Sequence, residues 1–255
     1  MSAPLKQWVE ADGKLLRLRL AMPKANIVDA AMIAALDEAF STLAANADIA
    51  GVLLDAEGPH FSFGASVEEH LPEQCADMLK GLHKLIKAML DCPVPILVAV
   101  QGQCLGGGLE VAIAGHIMFT TADAKLGQPE MMLGVFAPAA SCILPERMGS
   151  QAAEDLLYSG RSISGEDAVR LGLANVLADD PAEAALAYFN KYLAPKSASS
   201  LRLAVKAARF GFNDRVKAKL DQVEALYLDD LMSTKDAVEG LNAFLQKRPA
   251  IWENK

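Results

Sequence analysis

Cysteine is scarce in this chain: Cys75, Cys92, Cys104 and Cys142 are the four in a length of 255 residues. None forms a CxxC pair or a metal-ligand spacing. That excludes a disulfide-stapled scaffold, leaves no metal site to expect, and reads as reduced thiols of a cytoplasmic protein. No apolar run reaches the ~18 residues that span a bilayer, so no membrane partner is expected. The opening stretch MSAPLKQWVEADGK has no apolar signal core, so no export signal is expected either. Basic residues are in deficit: 24 Lys and Arg against 32 Asp and Glu give a net charge of −8. This argues against nucleic acid as the main partner, while a local lysine or a helix N-terminus can still receive a polyanionic ligand. Internal repeats and low-complexity segments are missing as well.

What the chain does have is a hydrophobic content of 52% and a charged content of 22%, the balance of a soluble globular protein with one large core. One stretch organises it, residues 95–130, PILVAVQGQCLGGGLEVAIAGHIMFTTADAKLGQPE. A buried-looking apolar run at 96–100 leads into a glycine-rich turn at 102–108, and a short apolar helix is predicted over 109–114. Gly106, Gly107 and Gly108 remove side chains where a ligand could approach the backbone. A helix that begins there leaves free N–H groups and the positive end of its dipole pointing out of the turn, a setting for an oxyanion or a phosphate. No Lys-Ser or Lys-Thr follows, so this is no P-loop, and the glycine spacing does not match GxGxxG. Glu110 and Glu130 flank the corner, the second just past a Gly127-Gln128-Pro129 turn.

Along the rest of the chain, Asp12-Gly13 signals a hairpin between a strand at 7–10 and a strand at 15–20. Asp29 is a candidate N-cap for a helix running to about residue 45. A buried strand is expected at 51–54, a helix at 72–90 with Met78, Leu82, Leu85, Ile86 and Met89 on one face, and strands at 116–120 and 173–177. Gly160 should close a helix over 151–159, Ser164 should open another, and Asp180-Pro181 a third. From there to residue 247 the pattern is helical, with breaks expected near Pro195 and at Gly211-Phe212-Asn213. The stripe Leu220, Val223, Leu226 and Tyr227 reads as packing or subunit contact. His60 and His70 read as solvated loop histidines, and His116 as structural.

GQCLGGGLEVAIAG followed by AKLGQPEMMLGV resembles the two signature segments of the crotonase (enoyl-CoA hydratase/isomerase) superfamily, and HFSFGASVEEH upstream resembles its first oxyanion segment. The resemblance covers roughly residues 5–180. It implies an α/β fold, a crotonase-like spiral of ββα units with a helical C-terminal region. Residues 1–195 would form the spiral core with a CoA-thioester site, and residues 196–255 would build the contacts of a homotrimer or homohexamer. It also implies an acyl-CoA substrate, with no separate cofactor because coenzyme A enters as part of that substrate. The backbone N–H groups of Ala65 and Gly107 would form the oxyanion hole. Lys24 and Ala25 would lie near the CoA adenine and phosphates, Phe63 would wall the cofactor and acyl groups, and Phe136 with Ala137 would reshape the acyl pocket. Two departures stand out: Ser66 replaces a common Asp, and LGVFAPAAS at 133–141 replaces a more glycine-rich run.

Members that carry both glutamates resemble hydratases, in which one carboxylate takes a proton from water and a second carboxyl orients that water or protonates carbon. PKANIVDAAMIAALD, GPHFSFGASVEEHLP and GQCLGGGLEVA are similar to members that hydrate a cyclic conjugated dienoyl thioester by 1,4-addition. A short-chain enoyl-CoA hydratase, or a crotonase-type isomerase or hydrolase, is the alternative. A basic stripe, Lys206, Arg209, Arg215, Lys217 and Lys219, is what an RNA-binding relative would use, and the net negative charge weighs against it.

Overall fold

The structure, a computed structural model, describes residues 3–43 and 46–255. Strands β1 (Leu5–Glu10) and β2 (Leu15–Leu20) form the expected antiparallel hairpin, with Leu5 opposite Leu20 and Glu10 opposite Leu15. Its turn places Ala11, Asp12 and Gly13 all at positive φ, the geometry of a tight hairpin connection. Helix α1 (Ala30–Leu43) starts where Asp29 accepts the N–H of Met32 at 2.9 Å, as an N-cap does. The predicted end of that helix near residue 45 falls outside the described residues.

Strand β3 (Gly51–Ala56) pairs parallel with β2. Helix α2 (Cys75–Leu90) follows a 3-10 turn at Glu68–His70 and buries the predicted face together with His83, which bonds Glu224. Strand β4 (Ile96–Val100) is buried throughout, as expected of a central strand in a parallel sheet. The segment read as one glycine-rich turn is more structured than that: residues 103–105 form strand β5 (Gln103–Leu105), and helix α3 (Gly107–Ala114) begins inside the glycines. Strands β6 (Ile117–Thr120) and β7 (Lys125–Gly127) come next. Helices α4 (Pro138–Met148) and α5 (Ser150–Ser159), strand β8 (Ser162–Ser164), helix α6 (Gly165–Arg170), strand β9 (Val176–Leu177) and helix α7 (Pro181–Tyr188) complete the spiral. Gly160, Ser164 and Asp180 cap the three helices they were expected to cap.

The main sheet has six strands in the order β1-β2-β3-β4-β6-β9, parallel except for the hairpin. A second, three-stranded sheet runs β5-β7-β8. This crossing back and forth between two sheets is the turn-by-turn spiral, and it brings the ends of β5 and β7 to one corner.

Helix α8 (Ala198–Ala225) runs unbroken through Gly211, against the expected break, because Ser197 caps its start and the face bearing Val216 and Leu220 packs on the core. A π-turn at Leu226–Asp230 leads to helix α9 (Lys235–Leu245). Of the predicted packing stripe, Leu220 and Tyr227 are fully buried, Val223 is half-buried, and Leu226 points to solvent. Most basic residues of α8 are bonded to the rest of the chain, Lys206 being exposed: Arg202 donates to the carbonyls of Asn46 and Ile49, and Arg215 pairs with Glu146. Arg209 donates to Gly115, Lys217 pairs with Asp91, and Lys219 donates to Ser141. That spends most of the stripe on holding α8 to the core.

Candidate active site

The corner between β5 and α3 is built by close approach. Gly106 sits at φ +50, and a Cβ there would stand 2.8 Å from an oxygen of Glu130. A Cβ on Gly107 would stand 3.0 Å from the Cβ of Ala65 and 3.1 Å from its nitrogen. The loop carrying Ala65 therefore lies directly on the glycine corner, and only glycine leaves room for it. Ser62 fixes that loop by donating to Asn26 O at 2.7 Å and accepting from Gly64 N at 3.1 Å. Among the described residues, the N–H groups of Ala65 and Gly107 donate to no acceptor in the chain. Gly107 opens α3, so its amide stands at the positive end of that helix. The far end of α3 is held by two arginines: the half-buried Arg147 donates to Ile113 O at 2.9 Å and the buried Arg209 to Gly115 O at 2.6 Å.

A cavity of about 500 Å³ opens beside this corner. Ala65, Gly107, Glu110 and Glu130 all line it, and most of the remaining wall is apolar. Glu110 is 3% exposed and accepts the N–H of Ala140 at 2.9 Å. Burial pushes its carboxyl up to about 7, against the backbone N–H bonds from Ala140 and Ala139, which lower it. Burial, with the neighbouring Glu110 charge added, pushes Glu130 up to about 8. Glu130 is half-buried, and because the Glu110 charge raises its carboxyl further, ionising one carboxyl favours the protonated form of the other.

Glu130 is held by a residue that sequence reasoning passed over. The side chain of the buried Gln128 faces Glu130, and with its amide nitrogen assigned to the carboxylate side by its hydrogen-bonding surroundings it donates to both Glu130 oxygens at 3.0 and 3.1 Å. Pro129 is the available signal, since it opens the 3-10 turn at Pro129–Leu133 and keeps Gln128, the residue before it, out of the helical region.

The other predicted residues divide. Phe63 and Phe136 line the cavity; Phe63 stacks edge-on against His60, and Phe136 against the fully buried Tyr227. Ala137 does not: it is 2% exposed and caps α4 from behind the wall, while Pro138 and Val135 form the surface. Lys24 and Ala25 also stand outside the cavity, one layer beyond Phe63, whose N–H bonds Ala25 O at 2.9 Å. His116 is structural, accepting the N–H of Ile96 at 3.0 Å, and His60 accepts the N–H of Gln103. His70 departs from its reading as a solvated histidine, because its ring is part of the cavity wall. The cavity also takes residues from the C-terminal region: Gly240, Ala243, Phe244 and the tail at 248–250. Trp252 pins that tail by packing over Gly134 and Gly240, and Arg248 pairs with Glu239. No cluster of three or more His, Cys, Asp or Glu among the described residues could hold a metal ion. No helix among them is long and apolar enough to cross a membrane.

A spiral of ββα units whose glycine corner carries free amides and two carboxyls defines an acyl-thioester enzyme of the crotonase type. The chain belongs to the enoyl-CoA hydratase/isomerase family, whose profile matches residues 10–255. The match therefore extends past residue 180, through the helical region that the sequence motifs left unmarked. Among curated relatives, the cyclohexa-1,5-dienecarbonyl-CoA hydratase of Thauera aromatica is 65% identical over 254 residues, covering 100% of this chain and 98% of that protein. The mitochondrial methylglutaconyl-CoA hydratase of Mus musculus is 28% identical over 234 residues, covering 88% of this chain and 74% of that protein. Among solved structures, an enoyl-CoA hydratase/isomerase from Mycobacterium paratuberculosis superposes with a TM-score of 0.85 at 23% identity, covering 95% of this chain and 98% of the other.

Proposed function

We propose that this protein is a hydro-lyase that adds water to cyclohexa-1,5-diene-1-carbonyl-CoA by 1,4-addition, giving 6-hydroxycyclohex-1-ene-1-carbonyl-CoA in the anaerobic degradation of aromatic compounds. The observation that carries the reaction type is the apolar cavity in which two glutamates flank the Ala65 and Gly107 amides. The full-length 65% identity to the Thauera aromatica hydratase supports the cyclic acyl group over a short linear one.

The thioester oxygen sits on the N–H groups of Ala65 and Gly107. Water attacks the β carbon, and its C–O bond forms as one proton passes to the ionised glutamate. The displaced π electrons move into the thioester as an enolate, which the two amides and the α3 N-terminus stabilise. Each such donor is worth about 2.7–4 kcal/mol. The enolate returns its electrons to the ring by taking the proton of the other glutamate at the far alkene carbon. Proton exchange between the two carboxyls resets the site. Coenzyme A takes part only as the substrate's handle, and Lys24 receives its phosphates beyond Phe63. The active species is a cytoplasmic homotrimer or homohexamer.

The experiment is hydration of a panel of linear and cyclic enoyl-CoA esters in heavy-oxygen water. The cyclic dienoyl ester should take up label efficiently. Glu110→Gln and Glu130→Gln should each nearly abolish incorporation while ester binding survives. Efficient labelling of crotonyl-CoA with an untouched cyclic diene would overturn the reading.

A further inference from the structure

His70 is the one other titratable group on the cavity wall beside Glu110, Glu130 and the tail's Arg248, and Arg248 is already paired with Glu239. It ends the 3-10 turn at Glu68–His70, in the loop that carries Ala65. Its Nδ1 lies 2.7 Å from the carbonyl oxygen of Ser66. A carbonyl can only accept, so Nδ1 carries the proton and Nε2 is a bare lone pair. Desolvation lowers the pKa of the ring, which favours that neutral form. With Nδ1 turned to Ser66, Nε2 is the unoccupied nitrogen of a residue on the cavity wall, and it has no partner among the described residues.

A neutral acceptor in an apolar cavity needs a donor. The ring of the dienoyl substrate offers none, while the attacking water offers two O–H bonds. In a 1,2-hydration, hydroxyl and proton arrive at adjacent carbons, and both carboxyls can rest on one water. In a 1,4-addition the proton is delivered across the ring, so the acid glutamate is committed to the far carbon. The water then keeps one carboxylate partner and has a second O–H to place.

We infer that His70 is a water-orienting residue, whose Nε2 accepts the O–H that the water retains and so aims the oxygen lone pair at the β carbon. The inference rests on the proposed 1,4-hydration. The imidazole neither gains nor loses a proton: one water hydrogen goes to the ionised glutamate, and the other stays on oxygen as the product hydroxyl, still bonded to Nε2.

The test is steady-state hydration of the cyclic dienoyl ester by His70→Asn and His70→Phe, with thermal melts of both. Asparagine can keep the donor to Ser66 and lacks the cavity-facing acceptor; phenylalanine loses both. The expected result for His70→Asn is a wild-type melt, an unchanged KM, and a kcat lower by roughly three- to tenfold, the worth of one neutral hydrogen bond. A His70→Asn enzyme at wild-type kcat, with only His70→Phe impaired, would reduce His70 to a clamp on the loop and overturn the inference. A raised KM at unchanged kcat would place the contact on the ester and overturn it as well. A wild-type enzyme that hydrates linear esters and ignores the cyclic diene would remove both the reading and the inference. Equal kcat in wild type and His70→Asn on the cyclic diene removes the inference alone.

Discussion

Replacing Glu110 with glutamine should stabilise the protein in a pH-dependent way while removing its activity. Glu110 is 3% exposed, and burial raises its carboxyl from 4.5 to about 7. An acid whose pKa is raised by folding holds its proton more tightly in the native state. The native state is therefore unpenalised below pH 4.5, loses stability as pH climbs from 4.5 to about 7, and levels off above that. At 1.36 kcal/mol per pK step, the full penalty is roughly 3 kcal/mol. Glutamine is the neutral isostere, and its Oε1 can still accept the N–H of Ala140. Glu110→Gln should match wild type near pH 4.5 and gain up to roughly 3 kcal/mol at pH 8.5, or about 6–12 °C in Tm for a domain of this size. Thermal unfolding of both proteins across that range measures the difference, and the labelled-water assay measures the loss of turnover. A gain that is absent, or equal at both ends of the range, would refute a buried carboxyl that resists ionisation.

The shared proton predicts a bell-shaped profile for kcat/KM, falling below about 7 as both carboxyls protonate and above about 8 as both ionise; a flat profile from pH 6 to 10 would contradict it. Gln128→Leu removes the donors that favour ionised Glu130, so both limbs of that profile should move to higher pH. Gly107→Ala puts a methyl group 3.0 Å from Ala65 Cβ and forces the corner apart, with kcat expected to drop on the order of 10²-fold and crystallography to show a displaced Ala65 loop. Trp252→Ala should release the tail that walls the cavity, raising KM about tenfold at near-constant kcat, an effect of about 1.4 kcal/mol.

The fold was legible where the chain uses local rules. The Asp12-Gly13 hairpin, the Asp29 cap and the all-buried β4 run each follow from residues close together in sequence. Gly211 was misread because a glycine inside an exposed helix costs only about 1 kcal/mol, which the packing of α8 on the core overrides. Glu110 and Glu130 could be picked out from the sequence because each stands beside a glycine or proline turn, and the structure places both on the wall of one cavity. Gln128, His70 and the tail were not, since each matters through a neighbour: a carboxylate two residues on, a cavity closed by α9, and a notch made by Gly134 and Gly240. Ala137 failed for the opposite reason. Its position beside Phe136 is next to the pocket in sequence, but the start of α4 turns it behind the wall.

The cavity's polar content sets a condition on any reaction it supports. Near neutral pH the carboxyl pair holds one proton and His70 is uncharged, so the pair and the imidazole together bring one negative charge to the site. In the proposed hydration, taking a proton from water would neutralise the ionised glutamate at the moment the thioester oxygen becomes negative. The charge moves without being created: it leaves a buried carboxylate, whose ionisation burial resists, and arrives at amides with no other acceptor. The strain that Glu110→Gln would relieve is thus the same free energy that makes the ionised glutamate a strong base. Stability and turnover are therefore opposed at that position, and a variant that kept the carboxylate while gaining stability at pH 8.5 would have to find a new partner for its charge.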